Sequence, residues 1–359
     1  MVKILKKGCI TDSRDSIFGY CAWPSVCVDE KGMIYVVCSG NRMNHMCPFG
    51  KILLYRSIDN GESWSVPSVI FDSCLDDRDP CVLYLGDGKI FFGACRHPAQ
   101  VYENEFTQWL TEDSGDAGLG VVKRYSQLSA EERRGGSFGR ISRDYGFSLC
   151  DEFEIPVHTP HGPIKLSDGS LLYLGKEKRK DRLDMERVIT AFKSWDGVTF
   201  ERVGQVPLPE GMRWDLFHEP HCVELDDGRI WGVIRTHPPV GIDHSFSIYS
   251  TFSNDCGKTW SVPSATGVCG SPPHCLKLPD GRIALTYARR IEPFGIFLRI
   301  ADRDGNIPDE EIMLDDAFGD DIGYPASVLL TDGSILTVYY KRTTESQGCK
   351  ILYTKWRIE

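Results

Sequence analysis

Glu219-Pro-His-Cys-Val-Glu-Leu-Asp-Asp-Gly228 leads into Ile230-Trp-Gly-Val-Ile234 and then, further on, into Ser253-Asn-Asp-Cys-Gly-Lys-Thr-Trp260. Apolar runs on both sides of Asp-Gly are the strongest short signal for a β-hairpin, because the turn needs positive φ. The unit recurs as Trp23-Pro-Ser-Val-Cys-Val-Asp-Glu-Lys-Gly32, Asp79-Pro-Cys-Val-Leu-Tyr-Leu-Gly-Asp-Gly88, Pro272-Pro-His-Cys-Leu-Lys-Leu-Pro-Asp-Gly281 and Tyr324-Pro-Ala-Ser-Val-Leu-Leu-Thr-Asp-Gly333. In a further copy, His161-Gly-Pro-Ile-Lys-Leu-Ser-Asp-Gly169, the proline comes two residues later. The second motif recurs in full as Ser57-Ile-Asp-Asn-Gly-Glu-Ser-Trp64. It loses its tryptophan in Ser142-Arg-Asp-Tyr-Gly-Phe-Ser148, shortens in Ser194-Trp-Asp-Gly-Val-Thr-Phe200 and fades to Ala301-Asp-Arg-Asp-Gly305. Its aspartate suits a tight turn, where it accepts backbone N–H bonds while the aromatic packs between neighbouring units.

Six hairpins at a spacing of roughly 50 to 60 residues predict six four-stranded blades of an all-β propeller. No box follows the last hairpin, so the N-terminal run is expected to supply the missing outer strand and close the ring. The 359 residues, which would otherwise suggest two or three domains, are then one domain spanning 1–359. One insertion after the second blade's hairpin, at 96–136, contains Ser129-Ala-Glu-Glu-Arg-Arg134 and reads as an irregular excursion over one face.

Acidic residues outnumber basic ones by 51 to 41, for a net charge of −10, which argues against nucleic-acid and anionic-membrane partners. No apolar run reaches the roughly 18 residues of a membrane span. The first residues, Met1 to Ile10, are charged without a following apolar run, unlike a secretory signal. The 14 cysteines form no C-x-x-C pair and no cysteine/histidine spacing typical of zinc. Several of them (Cys27, Cys38, Cys81, Cys222, Cys275) lie in apolar runs. Buried thiols in a reducing cytoplasm are expected, with no cofactor and no metal.

In a propeller the inner strands surround the axis, so equivalent positions of different blades meet in one funnel. The residue before the repeated proline is Trp23, Asp79, Glu219, Pro272 and Tyr324, with Pro160-His161 near that place in the remaining blade. A second set follows each hairpin's second strand: Arg42, Arg96, Lys176 or Lys178, Arg235, Arg290 and Lys341. His161, His218, His221 and His274 flank the prolines. Together these predict a concave, positively lined site for a small anion, in which arginine suits a carboxylate because its planar fork binds two oxygens.

With these features the chain resembles the sialidase (exo-α-neuraminidase) superfamily, and S-x-D-x-G-x-[ST]-W resembles its Asp-box. Glu219 leading to Arg235, Gly323-Tyr324-Pro325 leading to Asp332-Gly333, and Arg290 after Leu285-Thr-Tyr-Ala288 match the family's glutamate, tyrosine and one arginine of its triad. Two places differ. Cys21-Ala-Trp-Pro24 lacks the first-blade arginine, for which Arg42 or Arg78 is the substitute. The loop Gly40-Asn-Arg-Met-Asn-His-Met-Cys-Pro-Phe-Gly50 lacks the acid/base aspartate, leaving His45, Asp77 or Asp79, with Asp79 preferred.

The resemblance implies a retaining exo-glycosidase acting on a terminal sialic or related acidic sugar. Tyr324 is then the nucleophile, Glu219 its base, Asp79 or His45 the acid, and Arg42 or Arg78 with Arg235 and Arg290 the carboxylate ligands. His161, His218, His274 and Trp23 complete the expected substrate contacts. Sialidases are the tyrosine exception among glycosidases, since a neutral phenol avoids repulsion by the sugar carboxylate. Two other readings stay open: a propeller lyase on a uronate-containing glycan, and a non-catalytic glycan-binding propeller. The oligomeric state is left open.

Overall fold

The computed structural model describes residues 1–11, 16–105, 107–177, 188–237, 246–343 and 348–359. Its sheets are six antiparallel blades around one axis. Blade I comprises Tyr20–Val28, Ile34–Arg42, Lys51–Ser57 and Ser68–Phe71; blade II comprises Asp77–Gly86, Lys89–Arg96, Gly136–Ser142 and Phe153–Glu154. In blade III the inner edge is split into Val157–His158 and Ile164–Lys165, which both pair with Leu171–Glu177; Ile189–Ser194 and Glu201–Gln205 follow. Blade IV is Phe217–Glu224, Ile230–Thr236, Ser247–Ser253 and Ser264–Cys269. Blade V is His274–Lys277, Ile283–Arg289, Gly295–Ala301 and Ile312–Asp316. Blade VI takes Ile322–Leu329, Ile335–Arg342 and Cys349–Ile358 from the C-terminal end and its outer strand, Val2–Cys9, from the N-terminal end. Pairing the two ends of the chain in one sheet closes the ring and covers the edge that Cys349–Ile358 would otherwise expose.

The six hairpin glycines, Gly32, Gly88, Gly169, Gly228, Gly281 and Gly333, have φ between 73° and 86°, as the Asp-Gly signal requires. The S-x-D-x-G-x-[ST] turns repeat one hydrogen-bond pattern. Ser57 Oγ accepts from Gly61 N at 2.9 Å, and Asp59 accepts from Ser63 N at 2.9 Å. The equivalent bonds recur at Ser142/Asp144 and Ser253/Asp255. Buried apolar side chains collect at the seams between blades. Val36 packs with Val338 at the I–VI seam, Val82 with Ile52 at I–II, Tyr173 with Phe91 at II–III, Leu174 with Ile234 at III–IV, Leu285 with Val233 at IV–V, and Ile335 with Leu298 at V–VI.

The insertion differs from expectation. It is helical, with a π-turn at Val101–Glu105 and an α-helix at Thr107–Arg124 broken at Gly115 (φ 53°). Its buried stripe is Leu110, Ser114, Gly118 and Val122, a four-residue period in which two members are too small to register as apolar. Ser114 and Gly118 allow close approach, and the helix clamps the first blade's loop. Asp113 accepts from Asn44 Nδ2 at 2.9 Å and Met46 N at 2.6 Å, and Ser114 Oγ donates to Met46 O at 2.7 Å.

Candidate active site

Four of the pre-proline residues share one backbone distortion. Trp23, Asp79, Glu219 and Tyr324 have φ of 53°, 50°, 38° and 54°, and each marks a register shift in its inner strand. A bulky residue before proline prefers extended backbone, so a left-handed conformation there is strained. The bulge re-aims the side chain, which in a flat strand would follow the pleat. Three of the four meet a chemical partner in the funnel.

Tyr324 Oη donates to Glu219 Oε1 at 2.5 Å, while Arg235 Nη1 lies 2.5 Å from Glu219 Oε2 and 3.4 Å from the Tyr324 oxygen. Burial opposes ionisation of Glu219, but the Arg235 charge and the Tyr324 hydroxyl outweigh it and hold the carboxyl at about 2. Burial, then the Glu219 charge, pushes the Tyr324 phenol well above its ordinary value. The resting pair is therefore a neutral phenol on a carboxylate. Arg235 stacks over Phe246 at 3.9 Å. Arg290 reaches the Tyr340 hydroxyl at 3.2 Å and, among the described residues, has no carboxylate partner. Gly323 leaves it room: a Cβ there would lie 2.6 Å from Arg290 Nη2.

Asp79 is half-buried. Its Oδ2 receives Cys95 Sγ at 3.5 Å and faces Arg78 Nε at 3.4 Å. Burial first, opposed by Arg78 and reinforced by Glu219, raises its pKa. Arg78 also faces Asp76 at 3.4 Å and stacks over Trp23 at 4.2 Å. Asp79, Cys95 and His158 bring their possible ligand atoms within 4.8 Å of one another, the one group of metal-ligating type found among the described residues. Spacing along the chain gave no sign of it.

Several expected contacts are corrected. Arg42 is fully buried, bound to both Asp76 oxygens at 2.5 and 3.0 Å, to Ser39 Oγ and to the His45 carbonyl, so its guanidinium is not offered to a ligand. Asp77 is likewise buried, held by Arg96 Nε at 2.6 Å and Ser73 N, and cannot serve as the acid. His45 lies in burial and beneath the charges of Arg78, Arg42, Arg290 and Arg235, which lower it to about 2. An imidazole so hard to protonate has no proton to give near neutral pH. Trp23 is 1% exposed and supports the arginines from below. His161 and His274 form a buried floor with His221, where His221 and His274 stack at 4.4 Å and the His161 ring lies 6.3 Å from that of Tyr324. Burial holds His161 down to about 4. His218 stays half-buried at the rim, 3.3 Å from Lys176 Nζ, and burial and Lys176 lower it to about 3.

The ring of basic residues is broken by register. Ile34, Ile90, Leu171, Ile230, Ile283 and Ile335 occupy matching places, each opposite the first residue of its box turn or, in blade VI, Trp356. Five residues on come Ser39, Cys95, Lys176, Arg235, Ala288 and Tyr340, and the contacts of Cys95, Lys176, Arg235 and Tyr340 given above lie in the funnel. One residue further, Arg96, Arg289 and Lys341 take the opposite face and pair with Asp77, Glu311 and Asp315. Lys178 lies outside the described residues. Tyr340, Phe246 and Cys95 are site residues that inspection of charges alone missed. Tyr340 and Cys95 were findable by counting seven residues on from the hairpin glycines Gly333 and Gly88, the place that Arg235 holds after Gly228.

A protein of unknown function from Dyadobacter fermentans superposes with a TM-score of 0.79 at 23% identity, covering 100% of this chain and 99% of that one. The NanB sialidase of Streptococcus pneumoniae gives 0.69 at 16% identity, over 98% of this chain and 70% of that one. The fold is that of the sialidases. The intramolecular trans-sialidase of Ruminococcus gnavus, solved with oseltamivir carboxylate, gives 0.68 at 14% identity over 96% of both chains. No protein-family profile and no curated protein sequence matches this sialidase-type propeller.

Proposed function

We propose that the protein is a sialidase-like exo-glycosidase that hydrolyses a terminal sialic or related acidic sugar with retention. The observation that carries this reading is the 2.5 Å bond from Tyr324 to Glu219 beside Arg235 and the carboxylate-free Arg290. Arg235 and Arg290, with Arg78 in place of a first-blade arginine, bind the sugar carboxylate. Tyr324 attacks the anomeric carbon as its proton passes to Glu219; the high phenol and low carboxyl pKa mean that this transfer accompanies attack rather than preceding it. Asp79, on the matching bulge across the funnel, protonates the leaving oxygen and later activates water.

The test is a panel of aryl glycosides of sialic and uronic acids, with product configuration read by NMR. Release of a retained sialic acid is expected, and Glu219→Gln should cost about 10²- to 10⁴-fold in turnover. Full activity in Tyr324→Phe would remove the nucleophile. An unsaturated uronate product would replace hydrolysis with the lyase reaction. Two solved neighbours are intramolecular trans-sialidases, so the same spectra report whether water or the sugar's own hydroxyl completes the reaction.

A further inference from the structure

We propose that Asp79, Cys95 and His158 form a site for one thiophilic divalent cation of the zinc class, in the funnel wall between blades II and III. Asp79 and Cys95 lie across one hairpin, and His158 is brought to them from the next blade by the fold. Asp79 comes from the bulge of an inner strand. Cys95 comes from the neighbouring strand, opposite Arg78, and His158 from the inner edge of the next blade, opposite Lys176.

A thiolate, an imidazole and a carboxylate make a donor set suited to zinc, and three protein ligands leave a fourth position for water or an anion. Calcium and magnesium take oxygen ligands and are poorly served by a thiolate. The spacing also fits. With Zn–S of about 2.3 Å and Zn–O of about 2.0 Å, the sulfur–oxygen edge of a tetrahedron is about 3.5 Å. Cys95 Sγ and Asp79 Oδ2 are 3.5 Å apart, and all three ligand atoms fall within 4.8 Å. Cys95 is buried and Asp79 and His158 are half-buried, and rotation of the Asp79 and His158 side chains would close the remaining edges.

Charge does not forbid the ion. Arg78 must give up its 3.4 Å contact with Asp79 but keeps Asp76. Thiolate and carboxylate together offset the dication within its ligand set, while Arg78, sharing Asp76 with Arg42, leaves one positive charge beside it for an anion in the fourth position to meet. The cation would occupy the carboxylate assigned above as the acid, so metal binding and protonation of the leaving group exclude each other. That consequence rests on the proposed glycosidase reading; the binding itself does not.

Cobalt(II) added to the chelator-treated full chain is the direct probe. A thiolate-to-cobalt charge-transfer band saturating at one equivalent, displaced by zinc, is expected. Cys95→Ser and His158→Gln should each lose it while keeping the wild-type circular dichroism spectrum. No band in the wild-type protein, or an unchanged band in Cys95→Ser, overturns the site; the latter would place the metal on another of the free thiols. In a second arm, zinc should suppress aryl sialoside turnover over the range in which it displaces cobalt, with at least ten-fold lower sensitivity in His158→Gln. Zinc bound at one equivalent without inhibition would overturn the sharing of Asp79. A chain inactive on every glycoside would fail the glycosidase reading and leave the cobalt result to decide the metal site.

Discussion

At the residue scale, the candidate chemistry depends on a few side chains held off the pleat by strained backbone. Glu219 is kept ionised by Arg235 and Tyr324, against its burial. Removing Arg235 would leave that carboxylate buried with one partner fewer. Arg235→Met is therefore expected to raise the Glu219 pKa, weaken carboxylate binding and lower stability, read from inhibitor affinity and thermal melting. Gly323→Ala separates binding from folding. Its Cβ would meet the movable end of Arg290, 2.6 Å away, so the expected result is a rise in KM for an acidic glycoside with the melting temperature nearly unchanged. An unchanged KM would mean that Arg290 does not hold the substrate. Tyr324 and Glu219 were legible as a pair because both precede the repeated proline. The burial of Arg42 was not: it depends on Asp76, which no motif marks, and on the bulges ahead of it.

At the element scale, the blade is a hairpin pinned by a box turn. Ser57 is buried and holds both Gly61 N and Asp59. Ser57→Ala leaves the Gly61 N–H unsatisfied and should cost about 1–3 kcal/mol, measured by denaturant unfolding. The exposed Ser63, by contrast, should be nearly neutral to the same change. The distance from the hairpin glycine also sets the register that decides which strand-end residue enters the funnel, seven residues after Gly228 for Arg235 and eight after Gly333 for Lys341. That rule explains why Arg235 is a site residue and Lys341 is not, although both end a second strand. It was hidden in the sequence because blades differ by single residues near the strand ends, and one residue reverses the face. The helix at Thr107–Arg124 was hidden for another reason, since its inward stripe includes Ser114 and Gly118.

At the scale of the whole molecule, closure and buried charge govern stability. Deleting Val2–Cys9 exposes the Cys349–Ile358 edge and should cause association, seen by gel filtration, together with a lower melting temperature. The funnel also makes the protein sensitive to acid. His45, His218 and His161 are held at about 2, 3 and 4 in the folded state, below the ordinary value near 6.5 of the unfolded chain. The unfolded state therefore binds more protons as pH falls, and the stability present above about 6.5 is lost progressively toward 4 and below. Glu219, also lowered, acts in the same direction below about 4.3. Melting temperature should fall continuously from pH 6.5 to pH 4; a flat profile over that range would contradict the neutral, buried histidines.

Period and turn chemistry are local, so the sequence by itself determined six blades, the closing role of the N-terminal strand and the meeting of Tyr324, Glu219, Arg235 and Arg290. The blades, the closing strand and the places of Tyr324, Glu219 and Arg235 follow from repeated positions counted along one chain, and Arg290 follows from the resemblance, since it stands two residues past the repeated position held by Ala288. Only the tertiary structure decided which cations face a ligand and which face a carboxylate. It alone withdrew Arg42, Asp77 and His45 from the expected chemistry, and it alone brought Cys95 and His158 to Asp79. The physical reason is that burial, charge pairing and the face of a strand depend on neighbours distant in sequence. Some of those neighbours, such as Asp77 for Arg96 and Asp79 for Cys95, lie across one hairpin; others, such as Asp76 for Arg42 and His158 for Asp79, come from the next stretch of chain and meet only when the blades pack.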